Sequence, residues 1–188
     1  VSQLKPDRTI VIGSNRWQSV DTFDQLRVPD DPNIVLSYHF YEPFLLTHYD
    51  TSWTFLDGYT GPVNYPGVIL TEAEFASLPD DRKEAVAGYV GKEFNREILL
   101  EMMAKPLRVA KQLGLPLYCG EFGVYRPHAP TADRVAWLTD LTAALDDADP
   151  RVVLEAARAI HDVPIEAALP ELAARIDAES LEGPALVR

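Results

Sequence analysis

The sequence is poor in cysteine, in basic charge and in long apolar runs. Its single cysteine, Cys119, excludes an intrachain disulfide and cysteine-rich zinc sites. The formal net charge of −12 argues against nucleic acid or an anionic membrane as a partner, since both need a basic face. No apolar stretch reaches the length of a membrane span. An uncharged polymer remains compatible with this composition.

The chain length and the bulk composition indicate one ordinary domain, or one domain with a fragment of another. The 188 residues are 47% hydrophobic and 10% aromatic, values typical of globular rather than disordered chains. The first eight residues lack an initiator methionine and the pattern of a signal peptide. We therefore expect the chain to begin inside a longer protein.

Three short apolar runs predict buried strands, at residues 9–13, 34–41 and 115–122. A helix is predicted at residues 93–113, with a kink at Pro106, and another after Thr131 as N-cap. Strands joined by helical crossovers predict an α/β fold with a parallel sheet. The inward-facing helix residues are expected to be Phe94, Ile98, Met102 and Val109, then Val135, Leu138, Leu141 and Leu145.

Two segments depart from this alternation. Residues 44–80 are aromatic and rich in turn residues, which indicates a long loop with a binding role. After Asp146 the composition becomes Ala-rich, and residues 147–188 resemble one HEAT-like helical repeat. The alternative is a helical tail that packs on the sheet. The predicted domains are thus 1–146 and 147–188.

Polar and aromatic side chains lie where the predicted strands end. The first strand is followed by Asn15 and Trp17, the second carries His39 and Tyr41, and the third delivers Glu121 between two glycines. Carboxyl ends of parallel strands share one edge, where α/β barrels place catalytic groups. A carboxylate, an imidazole, a hydroxyl and an indole suit a carbohydrate site.

Each of these residues also has an ordinary structural interpretation. Trp17 can cover a barrel rim, His39 can be a hydrogen-bonded core histidine, and Tyr41 can fill a strand. Glu121 can cap a nearby helix. Their joint placement at strand ends favours function. Trp53, in the aromatic segment, is a further candidate for contact with a sugar.

The motifs around these residues resemble the later part of a glycoside hydrolase family 5 catalytic domain, a cellulase-type (β/α)8 barrel. Residues 35–43 (VLSYHFYEP) are similar to the family's sixth strand with its His-x-Tyr pair. Residues 117–123 (LYCGEFG) are similar to the seventh strand with its nucleophile, and residues 9–17 to the fifth. The resemblance implies a partial TIM barrel, strands five to seven, with a short helical tail.

The resemblance also implies the chemistry. It describes a retaining glycosidase in which Glu121 is the nucleophile, Tyr41 hydrogen-bonds it, His39 lies in the catalytic site and Trp17 stacks on a sugar. The substrate would be a β-linked polysaccharide or oligosaccharide. Two carboxylates suffice for this chemistry, so no metal and no organic cofactor are expected.

Part of the family pattern is missing from the sequence. No Asn-Glu-Pro segment supplies the acid/base, and Glu42 has the wrong strand context. We expect essentially no hydrolysis of natural glucan by these residues alone. We also expect the isolated chain to self-associate, aggregate or bind an N-terminal half-barrel, because its sheet edges are open. The competing hypothesis is a non-catalytic carbohydrate-binding or protein-interaction scaffold module.

Overall fold

A computed structural model of the protein describes residues 8–142. These residues divide into two compact units. The first comprises residues 8–40 and 100–122, and the second comprises residues 41–99 and 123–142. The predicted HEAT-like repeat at residues 147–188 and the predicted inward-facing Leu145 lie outside the described residues.

The first unit is built on a parallel sheet of three strands. These are β1 (Ile10–Gly13), β2 (Ile34–Phe40) and β5 (Leu117–Phe122), and their order in the sheet is β1-β2-β5. Ile10 aligns with Ile34, and Leu36 aligns with Leu117. The central strand is the most apolar and the most buried, as expected for a strand covered on both faces. All three predicted strands and the α/β class are confirmed.

Two short helical segments follow β1 in the first unit. The turn labelled α1 (Asn15–Gln18) comes first, and a 3₁₀ helix (Val20–Gln25) follows it. Phe23 of the 3₁₀ helix is fully buried and meets Tyr38 edge-to-face, with ring centroids 6.4 Å apart. This contact anchors the connection between β1 and β2 on the sheet.

The long helix α5 (Arg96–Leu113) connects β2 to the parallel strand β5. It begins after Asn95, whose side-chain oxygen accepts a hydrogen bond of 3.0 Å from the backbone N–H of Ile98, as an N-cap does. The helix runs without interruption through Pro106, so the proline does not end it.

The predicted inward face of this helix is also displaced. Phe94 lies in strand β4 rather than in the helix, and the buried positions are Leu99, Pro106 and Ala110. Ile98, Met102 and Val109 are only half-buried. The buried stripe is therefore shifted by about one residue from the stripe that the sequence predicts.

The second unit contains several short elements. Three lie in residues 44–80, the segment predicted as a long loop: α2 (Phe44–Thr47), β3 (Gly67–Val68) and α3 (Glu72–Ser77). They are followed by α4 (Asp80–Val86) and a 3₁₀ turn (Ala87–Tyr89). Strand β3 pairs antiparallel with β4 (Glu93–Phe94). The start of α3 is marked in the sequence by a capping-box pattern. Thr71 and Glu74 form this capping box, and both of its hydrogen bonds are present.

Buried tyrosines of the second unit donate hydrogen bonds to backbone carbonyl groups that lie outside regular secondary structure. The hydroxyl of Tyr49 donates to the carbonyl of Gly61 at 2.8 Å, and that of Tyr59 donates to the carbonyl of Pro62 at 2.6 Å. Buried carbonyl groups outside regular structure need such donors. The aromatic content of this segment is therefore partly structural.

Helix α6 (Thr131–Thr142) closes the described chain. Thr131 is its first helical residue rather than its N-cap, since the backbone N–H of Arg134 bonds to the carbonyl of Pro130. Leu138 is buried as predicted, but Val135 is 40% exposed and Trp137 is fully buried in its place.

Two aromatic residues hold α6 within the second unit. The indole Nε1 of Trp137 donates to the carbonyl of Glu42 at 2.8 Å. Tyr65 donates through its backbone N–H to Asp133 at 2.8 Å and through its hydroxyl to Asp140 at 2.7 Å. Burial, together with the hydrogen bond to Asp140, raises the pKa of Tyr65. No helix among residues 8–142 is both long and apolar enough to cross a bilayer.

Replacement of Trp137 tests the importance of this packing. Trp137→Ala should lower the free energy of unfolding by about 3–5 kcal/mol, because it empties a fully buried indole site and removes a donor to Glu42. Val135→Ala, on the exposed side of the same helix, should change it by less than about 1 kcal/mol. Urea titrations of both variants measure the difference. Equal losses would contradict the orientation of α6.

Candidate functional site

The end of β5 carries the carboxylate that the sequence singles out. Tyr38 aligns with Cys119, but the next residue of β2, His39, aligns with Glu121 rather than with Gly120. Gly120 is therefore the extra residue of a β-bulge. Bulges of this kind re-aim a side chain beside many active sites. Without it, Glu121 would align with Phe40 and face away from His39.

The bulge brings a carboxylate and an imidazole together. Nδ1 of His39 lies 3.3 Å from Oε2 of Glu121. The imidazole side chain is 14% exposed, whereas the carboxylate side chain is 55% exposed. A mostly buried ring thus supports a carboxylate that solvent or a ligand can reach. The arrangement can orient Glu121 for attack on an electrophile.

Gly120 is needed for this contact. A Cβ atom at this position would lie 2.9 Å from Oγ of Ser37 and 3.2 Å from Nε2 of His39. The two glycines around Glu121 suggested room for a ligand, but at Gly120 the space is taken by the protein's own His39. At Gly123 the space is open, and its φ of 150° suits glycine.

The turn after β1 lies beside the same strand end. Arg16, Trp17 and Gln18 all have positive φ, between 54° and 63°. The hydroxyl of Thr22 closes the turn by donating to the carbonyl of Asn15 at 2.9 Å. Ser19 then forms a parallel bridge with His39. The left-handed backbone of this turn had no signal in the sequence, because none of these three residues is glycine.

The candidate residues of this turn are both exposed. Trp17 is 88% exposed, and Asn15 is exposed as well. Trp17 therefore does not fill a core within the described residues, and its role in stacking on a sugar stays a prediction. The first unit thus brings Asn15, Trp17, His39 and Glu121 to one edge of its sheet.

Tyr41 belongs to the second unit, where it joins an aromatic cluster. Its ring meets His48 edge-to-face at 4.8 Å, and Phe44 stacks on His48 at 3.7 Å. The hydroxyl of Thr47 donates to the carbonyl of Tyr41 at 2.7 Å and lies 3.0 Å from Nδ1 of His48. Burial lowers the pKa of His48 to about 4. The sequence interpretation missed His48, which no motif marks.

Trp53 also belongs to the second unit, where it lies in a chain of contacts with Tyr125, His128 and Asp50. It is 64% exposed and meets Tyr125 edge-to-face, with ring centroids 5.0 Å apart. Tyr125 in turn meets His128 at 5.5 Å, and His128 contacts Asp50. The sequence analysis assigned no role to Tyr125 or His128. No group of three or more potential metal ligands occurs among the described residues.

Comparison with known proteins assigns the family. Residues 1–151 match the family Cellulase (glycosyl hydrolase family 5). The chain belongs to glycosyl hydrolase family 5. The family resemblance carried by the strand-end motifs is therefore confirmed, whereas the individual roles of the residues are not tested by this match.

Relatives of the chain within this family are endoglucanases and similar enzymes. Endoglucanase C from Acetivibrio thermocellus is 29% identical over 150 residues, which are 79% of this chain and 43% of that protein. Cellodextrinase A from Ruminococcus flavefaciens is 27% identical over 124 residues, covering 66% of this chain and 30% of the relative. The chain thus spans less than half the length of these family 5 relatives.

A solved structure supports the fold. The cellulose synthase subunit Z from Clostridioides difficile superposes with a TM-score of 0.55 at 20% identity, over 77% of this chain and 40% of that one. At this identity the likeness concerns the fold alone. It agrees with the α/β class of the family 5 chain.

The bulge can be tested at Gly120. Gly120→Ala should displace Ser37 and His39 and cost about 1–3 kcal/mol of stability, because the added methyl group overpacks a filled space. Gly88→Ala is the matched control, since a Cβ atom there meets nothing within 4 Å. Denaturant titration measures both. A harmless Gly120→Ala variant would contradict the bulge geometry.

Acid sensitivity should follow from the buried His48. Its pKa is about 4 in the folded chain and 6.5 when unperturbed, so the unfolded chain takes up the proton first as the pH falls. The stability that neutral His48 contributes is complete above about pH 6.5 and is lost towards about pH 4. In His48→Gln, the fall of the unfolding midpoint across this range should be shallower. An identical slope in both proteins would disprove the contribution.

Proposed function

We propose that this chain is the nucleophile-bearing part of a retaining glycosidase that cleaves a β-linked polysaccharide of the cellulose type. The observation that carries the proposal is the exposed carboxylate of Glu121, held 3.3 Å from His39 by a bulge at a strand end. Membership of family 5 gives this geometry its chemical context. The names of the endoglucanase relatives favour a β-glucan as substrate.

In the proposed reaction, a carboxylate oxygen of Glu121 attacks the anomeric carbon and forms a glycosyl-enzyme. The bond to the leaving-group oxygen breaks, and a separate carboxylic acid protonates that oxygen. Water then hydrolyses the glycosyl-enzyme and regenerates Glu121. His39 orients the nucleophile. Trp17 and Asn15 are proposed to contact the sugar, the first by stacking.

Tyr41 and Trp53 are retained as proposed catalytic and sugar-binding residues, respectively, because of the family resemblance. Their observed partners, His48 and Tyr125, lie within the second unit. Glu42 is not proposed as the acid. It follows the His-x-Tyr pair, a strand context different from that of the family's Asn-Glu-Pro segment.

The proposed architecture is part of a (β/α)8 barrel. The order β1-β2-β5 of parallel neighbours is compatible with strands five, six and seven of such a barrel. Residues 1–146 would form this part and residues 147–188 a separate helical tail. The first four strands and the acid/base would then come from a preceding segment or from a second polypeptide.

A trapping experiment tests the nucleophile. A 2-fluoro-cellobioside with a dinitrophenolate leaving group needs little acid assistance, so it should label Glu121 even where the acid is absent. The purified chain is incubated with the reagent alone and with a polypeptide that supplies the first four strands, and the peptides are analysed by mass spectrometry. Glu121→Gln should abolish the label, and Glu101→Gln, on the exposed side of α5, should retain it.

The outcomes separate the two function classes. A label on Glu121 supports the glycosidase, and a label on another carboxylate or none in either preparation overturns it. The second candidate is a non-catalytic carbohydrate-binding module, favoured by the exposure of Trp17 and Trp53. Binding of cello-oligosaccharides in calorimetry without any labelling would favour that module.

A further inference from the structure

Thr47 is a buried polar residue whose hydroxyl group lies between Tyr41 and His48. The residue is 2% exposed. Its Oγ1 lies 2.7 Å from the carbonyl oxygen of Tyr41 and 3.0 Å from Nδ1 of His48, with a longer contact of 3.5 Å to the carbonyl of Phe44. A buried hydroxyl needs hydrogen-bond partners. Here the partners are the residue that the family resemblance assigns to catalysis and a histidine that no motif marks.

The single hydroxyl hydrogen of Thr47 lies on the side of Tyr41. A carbonyl oxygen can only accept, and a separation of 2.7 Å between two oxygens requires a hydrogen between them. The hydrogen of the second contact must then come from Nδ1 of His48. The same oxygen of Thr47 thus donates to one partner and accepts from the other.

This arrangement assigns a tautomer to His48. Burial lowers the pKa of His48 to about 4, so at about pH 7 the ring is neutral and carries one proton. That proton lies on Nδ1, because the oxygen of Thr47 is there to accept it. Removal of this acceptor removes the preference for Nδ1.

The oriented imidazole of His48 in turn contacts the ring of Tyr41. The two rings meet edge-to-face, with centroids 4.8 Å apart and an interplanar angle of 69°. Phe44 stacks on His48, with centroids 3.7 Å apart and an angle of 10°. A rotation of the imidazole would therefore disturb both neighbours, and the position of the Tyr41 ring is coupled to the orientation that Thr47 sets.

Backbone hydrogen bonds fix Thr47 itself. Its N–H donates to the carbonyl of Pro43 at 3.1 Å, and its carbonyl accepts from the N–H of Tyr125 at 2.8 Å. Tyr125 belongs to the loop that follows β5 in the sequence. The hydroxyl group is thus presented from a main chain that is held at both its donor and its acceptor.

We propose that Thr47 is a positioning residue for Tyr41, which it holds through the carbonyl of Tyr41 and through the orientation of His48. The importance of this positioning for catalysis rests on the proposed function, in which Tyr41 hydrogen-bonds the nucleophile. The structural alternative is that the hydroxyl group merely satisfies a buried carbonyl. That alternative predicts a loss of stability without a change in the tautomer of His48.

Nitrogen NMR of the full chain at about pH 7 tests the tautomer without requiring activity. The signals of His48, identified by their loss in His48→Gln, should show the proton on Nδ1. Thr47→Val keeps the shape of the side chain but removes the acceptor, so it should shift the proton towards Nε2 and move the ring resonances of Tyr41. Thr47→Ser restores the hydroxyl group and should retain both signatures.

Thr51→Val is the matched control for Thr47→Val. Thr51 is also buried, at 0% exposed, and its hydroxyl also donates to a backbone carbonyl, that of His48, at 2.9 Å. The chemical change is the same, but the Nδ1 atom of His48 keeps its acceptor. Thr51→Val should lower the unfolding midpoint and leave the proton on Nδ1.

The rate at which the 2-fluoro-cellobioside labels Glu121 tests the link to catalysis. With the polypeptide that supplies the first four strands, Thr47→Val should slow labelling at saturating reagent by roughly ten- to hundredfold, as a misplaced group does. The half-saturating concentration should not change, because binding is not affected. In a Tyr41→Phe background the substitution should have little further effect, since both changes act on one group. Thr51→Val should label at the unaltered rate.

The outcomes separate this inference from the proposed function. A proton on Nε2 of His48 in the unaltered chain would overturn the positioning by Thr47, as would equal shifts of the Tyr41 ring in Thr47→Val and Thr51→Val. An undiminished labelling rate in Thr47→Val, or an equal loss in the Tyr41→Phe background, would also overturn it. Absence of a label in every preparation would overturn the glycosidase. The NMR signatures would then still support or overturn the positioning of Tyr41.

Discussion

The contact between His39 and Glu121 depends on a one-residue irregularity in β5, and the candidate site depends on that contact. In a regular parallel pair, Glu121 would align with Phe40, a core residue. The extra residue, Gly120, returns the carboxylate to the side of the imidazole. Only a residue without a Cβ atom leaves room for Ser37 and His39 at this point. Local backbone geometry therefore decides which side chains meet at this strand end.

The second unit is stabilised in another way. Its strands are only two residues long, so few of its backbone groups can be satisfied by a sheet ladder. Tyr49, Tyr59 and Trp137 supply donors to carbonyls from within the buried interior. Such residues combine a large apolar surface with one polar atom, which suits an irregular but packed segment.

The two units offer separable chemistry. The first presents a carboxylate with an imidazole and an exposed indole, and the second presents an indole with an oriented imidazole. The chain covers 43% of the length of Endoglucanase C. The reaction proposed for Glu121 also needs a second carboxyl group as acid.

Much of the candidate site could be predicted from the sequence. The three strands, the parallel α/β arrangement and the strand-end positions of Asn15, Trp17, His39 and Glu121 follow from apolar runs that end in polar residues. These features are local, since a strand is marked by its own composition and its ends by turn residues. The match to glycosyl hydrolase family 5 could be recognised for the same reason, because its motifs are short and contiguous.

Other features required the tertiary structure. The bulge at Gly120 arises from pairing with a strand some eighty residues earlier, and the left-handed turn at Arg16–Gln18 has no glycine to mark it. The inward face of α5 depends on what packs against it, and the hydrogen-bond partner of His128, Asp50, lies 78 residues away in the sequence. Sequence patterns report which residues can be buried or can react. Which atoms meet is decided by packing between distant segments, because register, cap and hydrogen-bond partner are properties of pairs and not of single residues.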